Sequence, residues 1–109
     1  MQKKLPRKVI ERVDKLITAL HNKGIEVESV YLFGSYARND HLMTSDIDLI
    51  VVSDSWSDLP TLKRMDVVNE VMWKEDIRNV EVIPITSTEN EQKNSIVLRD
   101  ASKYWIKLN

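Results

Sequence analysis

After Pro6, apolar residues recur at intervals of three and four: Val9, Ile10, Val13, Leu16, Ile17 and Leu20. That spacing puts them on one side of an amphipathic helix, which Pro6 opens and Gly24 ends, with expected bounds near Leu5 and Lys23. The period then changes. Val27 to Phe33 reads as a strand, Gly34 breaks it, Ser35 to Arg38 opens a short second helix, and Asn39 to Ser45 is a polar connection. Asp46 to Val52 follows as a second strand. Past its charged entry, Ile47, Leu49 and Val51 occupy one face and Ile50 and Val52 the other, and a strand apolar on both sides belongs inside a sheet.

The second half alternates in the same way. A third helix is expected from about Leu59-Pro60 to Trp73, capped by Ser57 or Asp58, with Leu62, Met65, Val68 and Met72 facing inward. Asn79 to Ile85 is a third strand, with Glu81, Ile83 and Ile85 on one face and Val80 and Val82 on the other. Thr88 and Glu91 have capping-box spacing and predict a last helix reaching about Ala101. Tyr104, Ile106 and Leu108 alternate with Trp105 and Lys107, the pattern of a short strand with one buried face. The fold class is α/β, a small mixed sheet flanked by helices.

Three carboxylates interrupt this pattern. Asp46 and Asp48 are two apart on one strand, so both point to the same side, and like charges at the rim of a buried strand repel and lose hydration. A divalent cation relieves that cost, and Mg²⁺ commonly binds through one or two carboxylates plus substrate phosphates. An isolated D-x-D is as readily a pair of solvated aspartates. Glu81 is the lone charge in the third strand and calls for a partner or for water at a sheet edge. Gly34-Ser35 adds a tight strand-to-helix turn whose backbone N–H groups can face an anion, with a packing turn capped by Ser35 as the plainer alternative.

Taken together, G-S-Y-A-R at 34–38 and D-I-D at 46–48 resemble the nucleotidyltransferase superfamily, in its minimal type with the signature G-S-x-A-R-G, six residues, D-x-D. Asn39 stands where that signature has Gly. The resemblance implies transfer of a nucleoside monophosphate, AMP from ATP, to a hydroxyl acceptor. It implies nucleotide binding at Gly34, Ser35 and Arg38, and Asp46, Asp48 and Glu81 as catalytic residues and ligands of Mg²⁺, with Mn²⁺ as a substitute. Glu81 is expected either to ligate metal or to act as the base. The minimal members are often encoded beside a helical HEPN-type protein, act as its antitoxin and can adenylylate it, so a partner protein is the expected acceptor. The alternative is a non-catalytic nucleotide- or protein-binding module of the same fold.

Bulk properties narrow this further. The 109 residues are expected to form one domain, 1–109, with little beyond a catalytic module. A net charge of −1 and an isoelectric point near 6.1 argue against a broad basic surface for nucleic acid. The lack of cysteine excludes disulfides and thiol chemistry, and with no membrane-length apolar run the expected location is cytoplasmic. The basic cluster Lys3, Lys4, Arg7, Lys8 and Arg12 reads as a solvated face, and a homo-oligomer stays open. Trp56 and Trp73 are each either core residues or anchors for a partner.

Overall fold

A computed structural model describes residues 5–38, 46–92, 98–99 and 102–108. In chain order the elements are α1 (Arg7–Asn22), β1 (Ser29–Phe33), α2 (Gly34–Arg38), β2 (Ile47–Val52), a 3-10 turn (Asp54–Trp56), α3 (Thr61–Lys74), β3 (Val80–Ile85), α4 (Ser87–Gln92) and β4 (Ile106–Lys107). The sheet runs β3-β2-β1-β4, with β1 antiparallel to both β2 and β4, and β2 parallel to β3. The expected mixed α/β sheet is therefore present. The parallel pair needs a crossover, which α3 provides.

Two clusters occupy the two faces of the sheet. On one face, Val9, Val13 and Leu16 of α1 and Val68 and Val71 of α3 cover Val30 and Leu32, Ile47, Leu49 and Val51, and Val80 and Val82. On the other, Ile50, Val52 and Ile85 pack with Leu98, and Tyr31, Phe33, Ile83 and Trp105 adjoin them while staying partly exposed. β2 is buried on both faces because it lies between β3 and β1 inside the sheet, as its uninterrupted apolar run requires.

The long periodic elements fall close to their expected places, and the local signals shift. α3 has no side-chain cap; Pro60 stands at its start and Ser57 and Asp58 lie before it. Its inward face is also rotated. Leu62 is 79% exposed, and the buried positions are Arg64, Val68 and Val71. Arg64 turns inward because its guanidinium finds acceptors there: it donates to the carbonyls of Leu59 at 2.8 Å and Pro84 at 3.2 Å, and to Glu89 Oε1 at 2.6 Å. The same Glu89 closes a capping box two residues ahead of the expected one. Its carboxylate accepts from the Thr86 N–H at 2.8 Å and its own N–H donates to Thr86 Oγ1 at 3.2 Å. Thr86 prevails over Thr88 because only its acidic partner also meets a buried cation.

Burial alone would raise the Glu89 carboxyl, yet the Thr86 N–H and the Arg64 guanidinium outweigh it and hold the group below its ordinary range. Beyond Gln92, residues 98–99 are helical, and the rest of the helix expected to reach Ala101 lies outside the described residues. At the C-terminus the expected one-sided strand uses both faces. Ile106 and Leu108 pack on the main cluster, Trp105 stacks on Tyr31 across the sheet, and Tyr104 is 58% exposed. Trp56 is fully buried, with Nε1 donating to the Val51 carbonyl at 3.3 Å, which settles it as a core residue; Trp73 is 82% exposed.

Arg64 is expected to dominate the stability of the α3–β3–α4 corner. Arg64→Met keeps the aliphatic stem but leaves two carbonyls and a half-exposed carboxylate without their donor, a loss of about 2 to 4 kcal/mol. Urea unfolding of both proteins measures it.

Candidate active site

Strand register brings the sequence-predicted residues together at one end of the sheet. Asp48 of β2 stands opposite Glu81 of β3 on one side and Phe33 of β1 on the other, so the three form one row across adjacent strands. All three project on the sheet face opposite α1 and α3, since their alternate neighbours Ile47, Leu49 and Val82 face those helices. Glu81 is exposed and Asp48 is partly buried. Asp46 is exposed and stands one residue ahead of β2, whose first N–H, from Ile47, donates to the Asn79 carbonyl at 2.8 Å.

The chain leaves β1 through Gly34, directly beside that row. Gly34 has φ of +72°, a conformation that L side chains rarely adopt, and a Cβ built there would collide with the Asp48 carboxylate. Two independent constraints therefore demand glycine. Ser35, partly buried, follows in the first turn of α2, and Tyr36 and Ala37 bury themselves to hold that short helix against the core. The Lys8 ammonium lies 5.3 Å from the Tyr36 ring centroid, a cation–π contact that ties α1 to α2. Arg38, exposed, ends α2.

The electrostatics converge on Asp48. Burial first, then the charge and hydrogen bond of Glu81, then the charge of Asp46, push its pKa from 3.8 up to about 6, against a weaker downward pull from Arg38. The residues nominated from sequence thus influence one another, as a site would require. Among the described residues, however, no three acidic, histidine or cysteine side chains converge closely enough to hold a metal ion by themselves. Asn39 and His41, in the connection before Asp46, lie outside the described residues. Two apolar hollows of about 550 and 470 Å³ lie elsewhere, one against α1 and β4 and one between α3 and β3. The carboxylates instead sit on an open sheet face. Phe33 is the member of the row that the sequence pattern misses, because cross-strand register is set by a connection whose geometry the sequence does not reveal.

Comparison with known proteins bears on the family and the fold. The family model described as the nucleotidyltransferase domain matches residues 13–104. A candidate protein adenylyltransferase of Methanocaldococcus jannaschii is 35% identical over 86 residues, covering 75% of this chain and 76% of that protein. A crystal structure of a candidate nucleotidyltransferase from Sulfolobus solfataricus is 27% identical with a TM-score of 0.55, covering 84% of this chain and 85% of that one. A toxin-antitoxin structure determined with AMP-PNP shares the fold at 23% identity and a TM-score of 0.58, covering 88% of this chain and 71% of that one.

Two outcomes are expected from this geometry. Because the folded protein holds the Asp48 proton up to about pH 6 and the unfolded chain releases it near 3.8, the stabilisation from that proton is complete below about pH 3.8 and lost as pH rises through 6. An unscreened effect of that size is about 3 kcal/mol, and partial exposure reduces it to about 1 to 2 kcal/mol. Asp48→Asn should therefore be the more stable protein at pH 7 by that amount, with the advantage vanishing near pH 4 in urea titrations. Gly34→Ala should cost about 2 kcal/mol or more, combining left-handed strain with the collision. Adding Asp48→Ala should recover only the collision part, a non-additivity visible in a double-mutant cycle.

Proposed function

The chain belongs to the nucleotidyltransferase domain family, and from that premise we propose that it transfers AMP from ATP to a hydroxyl group on a partner protein, breaking the bond between the α- and β-phosphates and releasing pyrophosphate. One observation carries the reading: a glycine turn that admits no side chain lies directly on a carboxylate held in register with a second carboxylate on the neighbouring strand. In this reading the Gly34–Ser35 turn holds the β- and γ-phosphates and Arg38 contributes a further phosphate contact. Asp46, Asp48 and Glu81 would hold Mg²⁺ or Mn²⁺.

The donor set fits such a cation. The three are all hard oxygen ligands, the crowding at Asp48 is the kind that a divalent charge relieves, and the space that a Cβ at Gly34 would fill is taken by Asp48 itself. Because these side chains do not close a full shell, phosphate oxygens of the substrate would complete it. When bound, the cation neutralises phosphate charge and stabilises the attacking and leaving oxygens. The chain's own residues position the triphosphate along the sheet end, and Glu81, exposed at the edge of the row, accepts the proton of the incoming hydroxyl.

A protein acceptor is supported by the surface. Leu62 and Trp73, 79% and 82% exposed, lie eleven residues apart on α3 and so share one side of it, where a partner could bury them. The relative in Methanocaldococcus jannaschii bears the description of a protein adenylyltransferase, and the toxin-antitoxin structure shares the fold, in keeping with the HEPN-type helical partner that the sequence resemblance implies. No helix among the described residues is long and apolar enough to cross a membrane.

ATP labelled at the α-phosphate, supplied with Mg²⁺ and a partner protein recovered by pull-down from the native host, should leave label on that partner. Glu81→Gln should abolish labelling, with ATP binding by calorimetry weakened only modestly. Efficient labelling of an aminoglycoside or another small hydroxyl compound by the isolated chain would overturn the protein acceptor. Tight ATP binding with no transfer to any acceptor would favour the non-catalytic binding module.

A further inference from the structure

The sheet face bearing Asp48 and Glu81 does not turn polar beyond them. One two-residue step along the strands, about 7 Å, leads to a second row in which Ile83, Ile50 and Tyr31 stand side by side. Phe33 sits beside Asp48 in the first row, and Tyr31 is the diagonal neighbour of Asp48 at about 7 to 8 Å. Trp105, just ahead of β4, lies against Tyr31 with ring centroids 4.2 Å apart and planes 20° from parallel. Ile50, in the middle of the second row, is buried, and farther from the carboxylates Val52 and Ile85 are buried with Leu98. Nearer to them, Phe33, Tyr31, Ile83 and Trp105 remain partly exposed. The result is an aromatic shelf beginning where the carboxylates end.

We propose that this shelf seats the base of the donor nucleotide, with the Trp105–Tyr31 stack meeting the ring and Phe33 lying under the ribose. The proposal rests on the nucleotide-transfer reading and extends it to the nucleoside half of the substrate. A triphosphate held at the Gly34 turn and the carboxylate row sends its nucleoside either into solvent or along this face, and among the described residues this face offers flat apolar surface at about one ribose length. Stacking rewards ring area whatever the hydrogen-bonding edge of the base. Purines therefore bind ahead of pyrimidines, and ATP and GTP are weakly distinguished.

The test separates the nucleoside from its phosphates. With Mg²⁺ present, the full-length protein is titrated with ATP, CTP and inorganic tripolyphosphate, beside Trp105→Leu and the conservative Trp105→Tyr. Trp105→Leu should weaken ATP about tenfold and leave tripolyphosphate unchanged, while Trp105→Tyr keeps most of the ATP affinity and wild type prefers ATP to CTP. In a Trp73→Phe background Trp105 is the one indole left with exposed surface, since Trp56 is buried, and its emission should change on ATP addition. Unchanged ATP affinity in Trp105→Leu, equal weakening of ATP and tripolyphosphate, or unaltered emission at saturation would overturn the shelf and leave Trp105 a packing residue. Wild type that binds neither ligand would refute the nucleotide-transfer reading itself, a result distinct from those three.

Discussion

Van der Waals exclusion between the Gly34 turn and the Asp48 carboxylate is the constraint on which the acidic end of the sheet depends. The two residues are brought together by antiparallel pairing of β1 and β2, in which Phe33 faces Asp48 and the chain then folds back over its partner strand. Any side chain at 34 would have to displace the carboxylate or abandon the left-handed turn. Sheet register, turn conformation and placement of the acidic row are thus a single arrangement. The burial of Tyr36 and Ala37 holds that arrangement from behind by fixing α2 on the core.

The two ends of the sheet treat charge in opposite ways. At the end where β3 runs into α4, Glu89 Oε1 accepts from a backbone N–H and the buried Arg64 guanidinium, which hold the carboxyl below its ordinary range, and Arg64 in turn donates to two carbonyls. Such a network ties three elements together. At the other end, Asp48 is crowded by Glu81 and Asp46 with only a weak counter-pull from Arg38. Crowding of this kind is what candidate functional sites share, and the Glu89 network lacks it.

The faces of the sheet divide in the same manner. One is sealed by α1 and α3, whose apolar stripes give the domain its main core. The other is covered only in part, and its partly exposed aromatic residues lie nearest the acidic row. With α1 and α3 both on one side of the sheet, the opposite side stays partly open, and the carboxylates project there because strand alternation sends Asp48 and Glu81 away from Leu49 and Val82.

The sequence by itself determined the alternation of helices and strands, the interior position of the strand from Ile47 to Val52, and the nomination of Gly34, Asp48 and Glu81. Those follow from period, from a breaker between apolar runs and from charges that interrupt buried strands, all of which are local. It misplaced the inward face of α3 and the capping box before α4, because Arg64 and Glu89 were resolved by each other across twenty-five residues and not by their neighbours. The mutual placement of Phe33, Asp48 and Glu81, the collision that makes glycine obligatory at 34, and the stacking of Trp105 on Tyr31 were decided only by tertiary structure. Register between strands depends on the path of the connections and on which side chains fill the space between layers, and neither is encoded in the spacing of residues along a single element.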